Sequence, residues 1–340
     1  MAGATLYDVA RLAGVSQPTA SRVLNGSART PGAEVVSRVR LAAAELGYVA
    51  HAQAQALARS ASGLVGLVVH DITDPYFSAI ARGVQDLART QGRQVLLAST
   101  DRDPDREREA LGAFLSHRAD AVILAGSRRS RTDDLRLRED IGRYLSGGGR
   151  LAVIGQPWSG VRAVVPANRA GAKELAGALV ALGHRRFAIL AGPGRLRTAA
   201  DRAAGFAEGV TEAGLAAPSS IPGDFTRDGG YASAGRLLAE HSDAAGGGWC
   251  VFAVNDVMAI GALVAFREAG LRVPRDIAVA GFDDIPTLRD FTPALTTVAL
   301  PLARMGEQAL ELALADSAAP TAVQRVPGIP RLRESTARKG

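Results

Sequence analysis

The run Thr5-Leu-Tyr-Asp-Val-Ala-Arg-Leu-Ala-Gly-Val-Ser16, followed by Gln17-Pro18 and Thr19-Ala-Ser-Arg-Val-Leu-Asn-Gly26, decides how the chain opens. Thr5 reads as a helix N-cap, and Leu6, Val9, Ala10 and Ala13 fall on one helical face. Gly14-Val15 interrupts that helix. Ser16 caps a second one, in which Pro18 sits in the first turn, where a missing N–H is harmless. This second helix runs to Leu24 and stops at Asn25-Gly26. Two short helices joined by a glycine turn predict a helix-turn-helix, whose second helix enters the DNA major groove. Ser16, Gln17, Thr19, Ser21 and Arg22 are the side chains on offer there. Short hydroxyls suit phosphates, while Gln and Arg pair bidentately with base edges. A third helix follows from Thr30-Pro31 through Val35, Val39 and Leu46 to Gly47. A plain three-helix cap with a polar face has the same pattern, so pattern alone leaves both readings open.

Charge favours the first reading. Lys+Arg minus Asp+Glu over all 340 residues is 40 − 34 = +6. Residues 1–60 hold six arginines against Asp8, Glu34 and Glu45, so 6 − 3 = +3. Half of the excess therefore sits on less than a fifth of the chain, as expected of a small nucleic-acid-binding module on a larger, nearly neutral body. The length suits two or three domains. A composition 47% hydrophobic and 22% charged excludes a disordered chain. There is no run of about 18 apolar residues, which argues against a membrane span. Asp8 and Arg11 interrupt any apolar signal core, and Cys250 alone makes neither a disulfide nor a CxxC knuckle. The expected compartment is the cytoplasm.

From Gly63 onward, apolar runs at 64–69, 95–98, 121–124, 151–154, 187–191, 251–254 and 277–280 alternate with amphipathic stretches at 77–90, 106–116, 170–182, 202–213, 229–240 and 259–269. Uninterrupted apolar strands between helices predict parallel sheets covered on both faces. There are too many strands for one compact unit. Two similar lobes are expected, with ligands binding beyond the strand C-termini. No HExxH, Walker or GxSxG pattern occurs, and Gly192-Pro-Gly194 lacks the third glycine of a dinucleotide loop. The adjacent Asp283-Asp284 in a strand-end turn point apart, which disqualifies them as a catalytic pair. No enzyme, cofactor, metal or catalytic residue is therefore expected. On pattern alone Asn255 and Asp283 are strand-end turn caps, and Phe225 and Tyr76 are packing residues.

The opening run, with Ala44-Glu-Leu-Gly-Tyr48, resembles the lac repressor/galactose repressor family almost residue for residue. The resemblance continues through Asp74-Pro-Tyr-Phe77, Leu182-Gly-His-Arg-Arg186, Val254-Asn-Asp256, Gly281-Phe-Asp-Asp284, Leu295-Thr-Thr297 and Arg333-Glu-Ser-Thr336. It implies an all-α helix-turn-helix domain at 1–50, a hinge at 51–62 and, from 63 to 340, an α/β effector domain. The effector domain is two-lobed, of the type I periplasmic-binding-protein-like class. Lobe one is expected over about 63–162 and 291–320, lobe two over about 163–290 and 321–340. The DNA contacts it implies add Thr5, Tyr7, Pro18, Asn25, His51 and Leu57 to the helix-two set. Within the helix former 52–59, Leu57 holds the position of a minor-groove wedge. In the interlobe cleft the implied effector residues are Tyr76, Phe77, Arg202, Phe225, Asn255 and Asp283, with Asp283 orienting Arg202.

Two departures stand out: Ala50-His51 where the family has Pro-Asn, and Ala167 where it has Asp before Asn168. The implied activity is sequence-specific binding of a palindromic operator by a homodimeric repressor under control of a sugar-like ligand. No leucine heptad tail follows Thr336. A sugar-binding transport or chemoreceptor protein is the alternative.

Overall fold

The computed structural model of the chain describes residues 4–25, 31–48, 62–127, 135–241, 248–315 and 322–337. The chain divides at Gly63/Leu64 into two compact units. In the first, α1 (Leu6–Leu12), α2 (Gln17–Asn25) and α3 (Ala33–Glu45) surround Val9, Ala20 and Val39, with Ala10, Ala13, Val23, Ala42 and Ala43 closing the core. The expected cap on α1 forms as a capping box. Thr5 Oγ1 accepts from the Asp8 amide, and the Asp8 carboxylate accepts from the Thr5 amide at 3.0 Å. Gly14 adopts φ +63° in the turn to α2, a conformation glycine reaches without strain. The third helix begins at Ala33, later than the Thr30-Pro31 start expected for it. The hinge stretch 52–59 lies outside the described residues.

The second unit carries two parallel sheets. The first orders its strands β11-β5-β4-β3-β1-β2: β1 (Leu64–Val69), β2 (Gln94–Ser99), β3 (Ala121–Gly126), β4 (Leu151–Gly155), β5 (Arg162–Pro166) and β11 (Val323–Val326). The second orders β7-β6-β8-β9: β6 (Arg186–Ala191), β7 (Ser219–Pro222), β8 (Trp249–Ala253) and β9 (Ile277–Ala280). A short antiparallel pair joins β10 (Thr297–Ala299) to β12 (Ile329–Arg331). The seven expected strands are all present.

Alternation along β1 and β3 sorts side chains to two faces. Val65, Leu67, Ile123 and Ala125 pack with α4 (Pro75–Thr90) and α11 (Leu302–Leu314). Val68, Val122 and Leu124 pack with α5 (Pro104–Ser116) and α6 (Leu135–Ser146). The second sheet lies among α7 (Asn168–Ala181), α8 (Arg197–Glu212), α9 (Arg227–Glu240) and α10 (Asp256–Glu268), with Phe206 stacked on Phe252 at 4.3 Å. Cys250 is fully buried in β8. The crossing of α4 and α11 is close because Gly83 and Gly306 carry no Cβ. A methyl on Gly83 would overlap the Ala303 carbonyl, and one on Gly306 the Ile80 carbonyl.

Two lobe assignments require correction. Residues 163–166 and 323–326 were expected in lobe two, yet both belong to the six-stranded sheet, where β5 pairs with β4 and β11 pairs with β5. Ala163 and Val164 bury against opposite faces of that sheet. The chain therefore leaves the first lobe only after Pro166. Residues 334–336 return to the second lobe, where the Ser335 hydroxyl donates to the Val279 carbonyl at 2.6 Å.

Candidate functional site

In the helical unit, Ser16 caps α2, its Oγ accepting from the Thr19 amide at 3.3 Å and lying 2.8 Å from the Thr19 hydroxyl. Gln17, Pro18 and Arg22 are exposed, Thr19 and Ser21 are half-buried, and Tyr7 on α1 is 61% exposed. These residues line one short helix and the start of its neighbour. Thr5 spends its hydroxyl on Asp8, to which it donates at 2.7 Å, and that bond holds the Asp8 carboxyl below its usual range. Thr5 is thus a cap before it is anything else. Asn25 ends α2. His51 and Leu57 lie outside the described residues.

In the larger unit the strand ends of both sheets converge on a small chamber. His70, Gly126 and Gly155 come from the ends of β1, β3 and β4, and Asn255 and Asp283 follow β8 and β9. This is where an open parallel sheet places its ligands. All six effector residues expected from the sequence line the chamber: Tyr76, Phe77, Arg202, Phe225, Asn255 and Asp283. Its volume of about 30 Å³ has room for little more than a water.

Arg202 is the centre of this arrangement. Only 2% exposed, it donates from Nε to Asn168 Oδ1 at 2.9 Å, from Nη1 to the Val254 carbonyl at 2.9 Å and from Nη2 to Asp283 Oδ1 at 2.6 Å. Its guanidinium lies 3.9 Å from the centre of the Phe282 ring. Asp283 therefore orients Arg202, as expected. Burial raises the Asp283 carboxyl above its usual range against the pull of that guanidinium, and pushes Asp256 behind it up to about 6. Burial raises Asp74 too, and raises the Tyr76 phenol, which feels Asp283 and Asp74 as neighbouring negative charge. The chamber thus gathers the buried polar groups of Arg202, Asn255 and Asp283 beside the half-buried Asp74 and Tyr76.

Asp283 and Asp284 hold positive φ, +123° and +57°, conformations uncommon for residues other than glycine. The strain is held by the Asp283 amide donating to the Val298 carbonyl at 2.9 Å and by Arg333 donating to Asp284 at 2.7 Å. The two carboxyls indeed point apart, one to Arg202 and the other to Arg333. Asn255 serves as cap and lining residue together, since its Oδ1 accepts from the Met258 amide at 2.9 Å at the start of α10. Ala167, the second departure, stands at the N-cap of α7 with no side-chain cap, and the adjacent Asn168 turns its amide oxygen to Arg202.

The structure adds residues that the sequence reading passed over. His70 lies 3.2 Å from Glu107 Oε1, both buried, and its ring fills the space that a Cβ on Gly126 would need. Arg102 reaches the chamber from a left-handed turn, φ +61°, to place its guanidinium 5.7 Å over the Phe225 ring. Thr198, at the start of α8, is tied to the opposite lobe twice. Gln156 Nε2 donates to its hydroxyl at 3.0 Å, and its amide donates to Ser127 Oγ at 3.1 Å. His70, Ser127 and Gln156 were within reach of one rule, since each follows directly on an apolar strand. Arg102 carried no such signal.

Residues 176–336 match a family described as a periplasmic binding protein-like domain, and residues 5–51 match bacterial regulatory proteins of the lacI family. The HTH-type transcriptional regulator GalS of Salmonella typhimurium is 36% identical over 318 residues, spanning 92% of this chain and 90% of that protein. The chain belongs to the lacI family. This lacI-family chain is also 31% identical over 325 residues to the ribose operon repressor of Escherichia coli strain K12, across 95% and 96% of the two proteins. A crystal structure of the lac repressor dimer bound to operator and the anti-inducer ONPF superposes with a TM-score of 0.86 at 27% identity, covering 99% of this chain and all of that one.

As a lacI-family protein the chain is a DNA-binding transcriptional regulator and not an enzyme. Among the described residues no helix is long and apolar enough to cross a membrane.

Proposed function

We propose that the chain is a homodimeric repressor that binds a two-fold operator in the cytoplasm and changes its operator affinity when a sugar-like ligand enters the chamber around Arg202. The observation that carries this reading is the buried Arg202 cradle. Three fixed acceptors hold a planar fork of donors at the meeting of two lobes, in a regulator whose relatives include a ribose operon repressor. A guanidinium and a carboxylate held face to face suit the vicinal hydroxyls of a sugar, and Phe225 and Tyr76 supply the apolar walls.

On this reading Gln17 and Arg22 contact base edges. Tyr7, Ser16, Thr19, Ser21 and Asn25 hold phosphates, with Pro18 adding an apolar contact. In the stretch 51–62, His51 touches the DNA backbone and Leu57 wedges into the minor groove at the dimer axis. Ligand and operator are then coupled reciprocally through the lobes.

Two substitutions separate the halves. Fluorescence anisotropy on operator DNA selected from random palindromes, with and without sugars, reads DNA binding, and calorimetry on free protein reads the ligand. Asp283→Ala abolishes the ligand response and leaves ligand-free operator binding intact. Leu57→Ala weakens operator binding and leaves ligand affinity of the DNA-free protein unchanged. A full response in Asp283→Ala overturns the cleft assignment, and wild-type operator affinity in Leu57→Ala overturns the hinge assignment. A sugar-binding chain that selects no palindrome supports the transport alternative instead.

A further inference from the structure

The Asp283-Asp284 turn is held largely from outside itself. After β9 the chain crosses from the second lobe to the first through β10, and it crosses back through β12, so the two crossings run side by side as one antiparallel pair. The turn lies against the first of them. The Gly281 amide donates to the Thr296 carbonyl at 2.8 Å, and the Leu300 amide to the Asp283 carbonyl at 3.3 Å. Behind the turn, Asp256 accepts from the Ile285 amide at 3.0 Å and from the Thr297 hydroxyl at 2.7 Å. Arg333, at the end of the second crossing, completes the set. Its Nη2 donates to Asp284 Oδ1 at 2.7 Å, its Nη1 to the Leu295 carbonyl at 2.9 Å and its amide to Thr296 Oγ1 at 2.8 Å. One residue thus ties both crossings to the turn.

The turn needs such a tie. Asp283 and Asp284 stand at φ +123° and +57°, where a residue with a Cβ stays only when its surroundings hold it. The Asp284 carboxyl is not among the groups that line the chamber, and its bond to Arg333 is partly exposed, with the two side chains 24% and 25% accessible. An ion pair so open to water adds little stability of its own. Its effect lies in the backbone that it fixes. Release of Asp284 lets the turn relax toward negative φ and swings the Asp283 carboxyl off Arg202 Nη2, which it meets at 2.6 Å.

We propose that Arg333 is a positioning residue of the cleft: from the second crossing it keeps the turn left-handed and so sets the Asp283 carboxylate against Arg202. Because the same guanidinium grips the first crossing at Leu295, a lobe movement that bends the crossings also moves the turn. Lobe angle and the Arg202–Asp283 contact then change together. This role serves the reading of the cleft as the effector site, and it is tested without ligand, so either can fail while the other stands.

Thermal melts of the full chain measure the coupling of Arg202 with Asp283 as the non-additivity of Arg202→Met and Asp283→Asn, the latter a replacement that keeps the shape and accepts positive φ. The cycle is repeated in three backgrounds: Arg333→Met, Asp284→Ala and Asp284→Gly. Loss of the tie in Arg333→Met and in Asp284→Ala is expected to cut the non-additivity by about half or more. Asp284→Gly loses the tie as well, but glycine takes φ +57° without strain, so most of the non-additivity is expected to remain. Adding Asp284→Gly to Arg333→Met is expected to restore it. A merely structural pair lowers every melt alike and leaves the non-additivity at its wild-type value in all backgrounds, and that result overturns the proposal. An equal loss with alanine and with glycine overturns it too, since the effect then lies in the lost charge and not in the backbone. The alanine and glycine variants at Asp284 keep the comparison decisive if Arg333→Met does not fold.

Discussion

Removing the Asp283 carboxylate has a cost that can be worked from the geometry around Arg202. The guanidinium is 2% exposed and makes three hydrogen bonds, the shortest of them to Asp283 at 2.6 Å. In Asp283→Ala the other two, to Asn168 and Val254, persist, but a buried cation loses its counter-charge. Breaking one side of a buried pair costs about 3–5 kcal/mol. For a unit of this size each kcal/mol lowers the melting midpoint by about 2–4 °C, so the variant melts roughly 6–20 °C below wild type. In the double variant Arg202→Met/Asp283→Leu, no charge is left stranded, and apolar replacement of a buried pair is close to neutral. It therefore melts well above Asp283→Ala. Circular dichroism melts of wild type, Arg202→Met, Asp283→Leu and the double variant at one pH give the coupling. A single-variant loss below about 2 °C, or a double variant that loses the sum of its parts, refutes the view of Arg202 as a buried cation dependent on Asp283.

Further outcomes follow from other sites. Asp256 is pushed up to about 6 when folded, above its ordinary value near 3.9, so its stabilising effect is full below about pH 4 and is lost as the pH rises to about 6. Asp256→Asn removes that slope, worth roughly 3 kcal/mol, and melts at pH 4 and pH 7 read it; an unchanged slope contradicts the assignment. Thr5→Ala deletes the capping box and destabilises the helical unit by about 1 kcal/mol, visible in the full chain as faster hydrogen exchange at the α1 amides. Arg22→Ala costs about 1–3 kcal/mol at the operator and relaxes preference at one position per half-site; an unchanged specificity ratio in competition binding sinks the base contact.

Much of this fold was legible because the strands are apolar on both faces. The runs at 64–69 and 277–280 have the observed bounds. What escaped was amphipathic or marginal. The helix α6 hides Leu137, Ile141 and Tyr144 among arginines and acids. The strand β7, Ser219–Pro222, is a four-residue edge with one buried side chain. In β11, Val323–Val326, the adjacent polar pair Gln324-Arg325 masks a sheet edge, and misreading it displaced the lobe boundary. Site residues showed the same division. Arg202, Asn255 and Asp283 follow strand ends or open a helix in recognisable strings. Arg102 depends on two successive left-handed residues, a backbone state that no local pattern announces.

The two ties on Thr198 set a population. Each is a neutral hydrogen bond between lobes, worth about 1 kcal/mol net, so together they favour the closed form by about 2 kcal/mol, a factor of roughly thirty in the balance of closed and parted forms. A ligand that enters only the parted form then binds up to about thirtyfold more weakly than it would without the two ties. Thr198→Val keeps the amide tie and deletes the hydroxyl one, raising the parted fraction about fivefold. The strength of a single contact between lobes, far smaller than the chamber itself, thus shifts the balance between closed and parted forms several-fold.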